Sequence, residues 1–436
     1  MKALSRSTEL RIGMLLAILS LFWAPSLPNL SAQGNSPRTY RNGTRVYLDN
    51  GTIKVGLETA WGGSIVELAW KGTNFVNNFD TGREVQVAFY DGDTSPLCGD
   101  CQGAKGWDPV QGGDWHKHGS PILEQTVGQN SIYIKSQPHH WYPDNKGGPN
   151  NPVPSDVFIE QWVSLLPDYP TGVKVHYKVT HFGHDVHANS YQEFPAVYAN
   201  SEFSQFVYYG GTEPWTNGDI TSLPLPTQPS SPIFYTPELW AALVNKQNIG
   251  LTVFVPGSFP YAQGTSVPQA GPPNHGANYF KPLTFFSFGP GSVLEADIYL
   301  FGGDYRTARQ AIYALKKTGA LPQNPFAPDG SLDAPARDAV LKGTTAVTGW
   351  AFDASQVSAV DVLVDEKVVG RAEYGSIQRP DVGHKWMHAP VSIGFQYKLD
   401  TTKYPNGKHS IGVNVKNPAG NVAILRRNPV VIENPN

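Results

Sequence analysis

Glycine and proline punctuate this chain so densely that few stretches are left that can hold a helix. The 436 residues include 44 Gly and 37 Pro, and both residue types weaken or break helices. Between them lie short runs rich in β-branched and aromatic residues, which suit a pleated, half-buried surface. Residues 45–48 and 52–57 flank Asp49-Asn50-Gly51, and Asn-Gly between two such runs predicts a tight hairpin. Residues 157–166 and 172–180 predict a second hairpin around Pro167–Thr171. In its second arm Val173, Val175, Tyr177 and Val179 alternate with Lys174, His176, Lys178 and Thr180. That period of two predicts one buried face and one wet face. Further strands are expected at 64–70, 84–90, 190–199, 250–255, 283–288 and 293–301. One helix stands apart, over 304–319. Asp304 caps it, Tyr305, Ala308, Ile312 and Leu315 share a face, Lys316 and Lys317 sit in the last turn, and Gly319 stops it.

The N-terminus predicts export. Lys2, Arg6 and Arg11 precede the apolar run Met14–Ala24, which is short for a membrane span and has the layout of a signal peptide, assigned to 1–32. A secreted or periplasmic location follows, with no membrane insertion once the leader is removed. In an oxidising compartment Cys98 and Cys101 are expected to form a short-loop disulfide. A net charge of −3 offers no electrostatic footprint for nucleic acid. The proline-rich stretch that begins at Leu321 predicts a linker over 321–335, separating a large domain at 40–320 from a small one at 336–436. The short, evenly spaced strand signals of the small domain suit a β-sandwich of roughly 100 residues.

Three places could carry chemistry. The first is the turn His181-Phe182-Gly183-His184-Asp185-Val186-His187 and the strand that follows, with Glu193. An imidazole beside a desolvated carboxylate can run general acid–base catalysis near neutral pH. The spacing of three between these histidines would suit a helix, but in extended chain it alternates faces. No metal ligand set is therefore assigned, and calcium held by loop carboxylates stays open. The second place is a long aromatic-rich loop region with Trp107, Asp114, Trp115, His140, Trp141 and Tyr142, the residue mix of a binding loop rather than of a disordered one. The third is the wet face of the second hairpin, where Glu160, Trp162 and His176 put a carboxylate and imidazole beside an aromatic platform. Arg83 is available to meet an acidic sugar. Structural packing and solvated surface are the competing readings at each place.

Two resemblances add to this. Gly349-Trp350-Ala351-Phe352, Arg379-Pro380-Asp381-Val382, Asn406-Gly407-Lys408-His409 and Pro418-Ala419-Gly420-Asn421 resemble the Ig-like domains of secreted bacterial proteins, which implies an accessory sandwich. Leu48-Asp49-Asn50-Gly51, Trp61-Gly62-Gly63, Asn77–Arg83, Gln192-Glu193-Phe194-Pro195-Ala196 and Glu238–Ala242 resemble the galactose-mutarotase-like β-supersandwich. That resemblance implies a mostly β fold that binds glycans on a sheet face and serves epimerases, lyases and hydrolases. Fold alone does not choose among them. The expectation is a carbohydrate-active enzyme acting on a poly- or oligosaccharide. Catalytic candidates are Glu193, His181, Glu160, His140 and Asp114, and hydrolysis is favoured over β-elimination. The alternatives are a lyase, an epimerase, or a glycan-binding protein without catalysis.

Overall fold

The computed structural model describes residues 37–92, 106–146, 151–267 and 276–435. The expected signal segment at 1–32 and the expected Cys98–Cys101 disulfide lie outside the described residues.

The large domain is two antiparallel sheets packed face to face. The main path of the thirteen-stranded sheet runs Arg38–Asn42, Arg45–Asp49, Ile53–Glu58, Ser64–Trp70, Val85–Ala88, His187–Asn200, Ala277–Pro282, Tyr261–Val267 and Ile233–Tyr235. The nine-stranded sheet runs Thr221–Pro224, Gln205–Tyr208, Trp240–Val244, Ile249–Phe254, Val293–Asp304, Gly172–His181, Val157–Leu165, Ser131–Ser136 and Ile122–Val127. Alternation decides which face each residue takes. Val85, Val87, Phe89, Phe194, Val197 and Phe280 of the first sheet meet Ile159, Val163, Val173, Val175, Tyr177 and Val179 of the second in one buried cluster. Full burial of each such side chain contributes about 1.5–3 kcal/mol, which holds the register against a one-residue slip.

Both predicted hairpins form. Asp49 pairs with Lys54 across the first turn, where Gly51 adopts φ +82°. Asn50 contributes through its side chain instead, accepting from the N–H groups of Thr52 at 2.9 Å and Ile53 at 2.8 Å. The second hairpin pairs Trp162 with His176 and Glu160 with Lys178. The helix spans Tyr305–Lys317, and the Asp304 carboxylate accepts from Arg306 N–H at 2.8 Å. Its inner face, with Tyr305, Ala308, Ala311 and Ile312, packs on Trp240, Phe254 and Phe301 of the nine-stranded sheet. The sequence did not signal the short helix Pro380–Lys385.

The small domain pairs a four-stranded sheet with a six-stranded one around Val347, Phe395, Ile411, Val413 and Val415. The expected linker needs correction. Asp329–Ala334 is a strand, hydrogen-bonded to Thr344–Phe352. Phe326 is buried in the core of the large domain, and Ala327 in that of the small one. Proline at 322, 325 and 328 stiffens the crossing but does not make it a free spacer. The two domains share an apolar seam, in which Phe259, Tyr261 and Phe285 pack on Phe352, Trp386 and Ile393. The Tyr261 hydroxyl donates to the Met387 carbonyl at 2.8 Å.

Candidate active site

The thirteen-stranded sheet turns an unusual set of side chains away from the core. His187–Asn200 pairs Glu193 with Ala88, and Tyr198 with Tyr279. An irregularity between Glu193 and Ala196 keeps Glu193, Ala196 and Tyr198 on the same outer side. Tyr90 and Tyr191 lie two residues from Ala88 and Glu193, and Lys281 lies two from Tyr279, so all join that face.

Their contacts form one network. The Tyr279 hydroxyl donates to Glu193 Oε1 at 2.6 Å, and the charge of the same carboxylate acts on the Tyr90 phenol. Lys281 Nζ lies 3.9 Å from Glu193 Oε1 and 4.1 Å from the centre of the Tyr191 ring. The Lys281 side chain is 4% exposed and that of Glu193 15%, so the lysine supports while the carboxylate can be reached. Burial pulls the Lys281 ammonium down to about 8, although the Glu193 charge acts to raise it. Burial, reinforced by the same negative charge, pushes the Tyr90 and Tyr279 phenols well above their ordinary value. These phenols stay protonated and act as donors.

Glu84 immediately precedes the neighbouring strand Val85–Ala88, with its carbonyl accepting from Tyr198 N–H at 3.2 Å. Its carboxyl is fully buried with neither oxygen hydrogen-bonded, and burial raises its pKa well above the usual carboxylate range. A cleft of about 160 Å³ beside Tyr198 is lined by Asp80, Gly82, Arg83, Trp141, Gln228 and Val267. Arg83 pairs with Asp80 at 2.8 Å. A Cβ at Gly82 would stand 2.4 Å from the Trp141 ring, so glycine there is what lets the benzene edge of the indole approach the backbone. The small domain bounds the face at one end: Tyr191 pairs across strands with Phe285, which packs on Trp386.

The five catalytic candidates do not converge. Glu193 belongs to this face, and Trp141 and Arg83 line its cleft. His140 is buried behind it, with Nδ1 3.0 Å from Asp108 Oδ1, and Tyr142 N–H donates to the other oxygen of Asp108 at 3.2 Å. Asp114 is fully buried and structural, accepting from His118 N–H at 2.9 Å and contacting His118 Nδ1 at 2.8 Å. Trp115 is 42% exposed and packs on His116. Glu160, Trp162 and His176 lie on the outer face of the opposite sheet. There Tyr133 donates to Glu160 at 3.1 Å and His176 pairs with Asp297 at 2.8 Å. His181 is buried and bonded to Asp156 at 3.0 Å, and Trp107 donates to the same aspartate at 2.6 Å. The single acid–base site drawn from His181 and Glu193 therefore splits in two. The chain turns after His181 to start a strand in the other sheet, and Glu193 lies six residues along that strand.

Sequence reading missed Lys281, Tyr279, Tyr90 and Tyr198. The signal was present in Asn278-Tyr279-Phe280-Lys281, a period-two run with only Phe280 in the core cluster. A larger cavity of about 790 Å³ lies beside the helix, lined in part by Asp219, Tyr305, Arg309 and Tyr313. Its buried arginine is already paired, since Arg309 donates to both oxygens of Glu238 at 2.9 and 3.0 Å.

Comparison with known proteins adds the following. Residues 328–413 match the bacterial Ig domain family. The match bears out the sandwich expected at the C-terminus. No curated protein sequence matches the chain. Among solved structures, it is similar to a 4-alpha-glucanotransferase from Thermococcus litoralis, with a TM-score of 0.37 and 12% identity over 62% of this chain and 40% of that one. It is also similar to a galactose mutarotase-like protein from Clostridium acetobutylicum, with a TM-score of 0.39 and 10% identity over 62% and 98% of the two chains. A polysaccharide lyase aligns with a TM-score of 0.33 and 9% identity over 91% of this chain and 48% of its own. The chain thus spans less than half the length of the glucanotransferase and of the lyase. No catalytic role is taken from these likenesses.

Proposed function

We propose that this protein is an exported enzyme that acts on a poly- or oligosaccharide by proton transfer at a sugar carbon, as in β-elimination or epimerisation. The observation that carries this reading is the Glu193 carboxylate, held by the Tyr279 hydroxyl at 2.6 Å with Lys281 at 3.9 Å, on an aromatic face that reaches solvent. Glu193 accepts the proton, and a flanking phenol, kept protonated by burial, returns one. Lys281 and Arg83 offset negative charge on a bound acidic sugar and on the intermediate. Tyr191 and Trp141 supply flat surfaces for the apolar faces of sugar rings.

Hydrolysis by two carboxylates fits less well. It needs a second acid or base facing the first across the bond. The other carboxyl groups near this face are engaged or buried: Asp80 with Arg83, Asp108 with His140, and Glu84 in the interior. The test is a panel of uronate-containing and neutral oligosaccharides, read for unsaturated product, for solvent deuterium incorporated at ring carbons, and for new reducing ends. Unsaturation or deuterium uptake that Glu193→Gln abolishes supports the reading. New reducing ends without either signal would replace it with hydrolysis. Binding without any product would replace it with a glycan-binding role.

A further inference from the structure

Beyond the Glu193 face, the ends of the two sheets meet at a second cluster that the proposed reaction does not use. Asp156 precedes the strand Val157–Leu165, His181 ends Gly172–His181, and His187 begins His187–Asn200. The first two belong to the nine-stranded sheet and the third to the thirteen-stranded one. One nitrogen or oxygen from each lies within 4.8 Å of the others. His181 Nε2 is 3.0 Å from Asp156 Oδ2. His187 is 6% exposed, and its buried Nε2 has no hydrogen-bond partner.

The outer contacts hold each ring by its other atom. His187 Nδ1 faces Asp91 Oδ2 at 3.1 Å, His181 Nδ1 faces the Gly289 carbonyl at 2.8 Å, and Trp107 donates to Asp156 Oδ1 at 2.6 Å. Trp107 also stacks on His187, with ring centres 3.9 Å apart. Imidazoles oriented through one nitrogen by a carboxylate or carbonyl, with the other left open, are the usual surroundings of metal ligands. Gly183 closes over the cluster: a Cβ there would stand 2.0 Å from Asp156 Oδ2 and 2.6 Å from His181 Nε2.

The geometry points to a divalent metal site of the zinc(II) class, held by Asp156 Oδ2, His181 Nε2 and His187 Nε2. Two imidazoles and a carboxylate are a borderline-soft set that zinc favours over calcium or magnesium. Tetrahedral ligation at zinc distances places ligand atoms about 3.3 Å apart. The Asp156–His181 spacing already fits, and His187 closes in by about 1.5 Å at most from its bound of 4.8 Å. The Asp156 side chain is 29% exposed, which leaves a solvent-facing fourth position for water. Such an ion pins the ends of the two sheets together.

The experiment uses the full-length chain, stripped with a chelator and then given Zn²⁺ or Co²⁺. The expected result is one equivalent of zinc retained through gel filtration and visible cobalt absorption typical of low coordination. His187→Ala removes both, whereas the Cys98→Ser/Cys101→Ser double variant leaves both. Should His187→Ala fail to fold, Asp91→Asn decides, with an expected ten- to hundredfold loss of zinc affinity. The proposal is overturned if the wild-type chain retains no stoichiometric metal, if the cysteine variant loses it, or if Asp91→Asn binds as tightly as wild type.

Discussion

The outer faces of the two large sheets carry similar residue types and behave differently. On the nine-stranded sheet, Glu160, Trp162, His176, Lys174 and Lys178 form an open lattice. Lys178 is 3.8 Å from Glu160 with a side chain 40% exposed, and His176 bridges Asp297 and Glu295 with a side chain 32% exposed. On the thirteen-stranded sheet, the Lys281 side chain is 4% exposed and Glu193 is bound by the Tyr279 phenol. The difference lies in cover. Leu283 and Phe285 continue the segment after Lys281 into the apolar seam with the small domain, and Trp141 lies on the backbone at Gly82. Water screens the first set of charges from one another. Exclusion of water makes the second set respond to one another. A carboxylate, an ammonium and an aromatic ring are therefore not enough to mark a site; desolvation around a still reachable group is.

The contrast can be broken most sharply by paired variants. Glu193→Gln is expected to lower turnover on a responsive oligosaccharide by about 10²–10⁴-fold, and Glu160→Gln by less than about twofold. Steady-state kinetics on both would check this. The next effect is one of stability. Below about pH 8 the folded and unfolded chains both carry the Lys281 charge, and burying it costs stability. Between about 8 and the ordinary lysine value of 10.5, the unfolded chain holds the proton that the folded chain has released. Stability relative to Lys281→Met should therefore rise across that window, by about 3 kcal/mol, as measured by urea denaturation at stepped pH. Tyr191→Ala removes the exposed ring over the ammonium, and should raise KM by roughly three- to tenfold with a smaller change in kcat. The smallest effect belongs to the open face. Hydrogen bonding to Asp297 raises the His176 imidazole. Its contribution is thus present at acid pH and is lost as pH climbs through that raised value. His176→Gln should cost less than about 1 kcal/mol at pH 5.5 and progressively less at higher pH, by thermal melts.

Much of the fold was legible because period-two alternation is local. Val173, Val175, Tyr177 and Val179 announce their burial without reference to any partner, and Asp304 and Gly319 bracket the helix by local capping. The proline-rich crossing misled for the same reason. Nothing near Asp329 announces that the strand Thr344–Phe352 will pair with it, or that Phe326 and Ala327 will enter two cores. The candidate site was half legible. Glu193 was drawn from the strand after a polar turn, but its partners Tyr279 and Lys281 lie 86 and 88 positions away in sequence and meet it only through sheet order. His181 and Glu193, close in sequence, were separated by the passage of the chain from one sheet to the other. That same passage brought His181 to His187, a meeting that sequence spacing alone did not assign as a ligand set.

The central claim is that the outer face of the thirteen-stranded sheet, and not its counterpart, receives the saccharide. Hydrogen–deuterium exchange with and without hexasaccharides from the uronate and neutral panel reads this directly. The expected result is slowed exchange in His187–Asn200 and Ala277–Pro282, with Val157–Leu165 and Gly172–His181 unchanged. Slowed exchange confined to the latter two strands, or no change with any member of the panel, would contradict it.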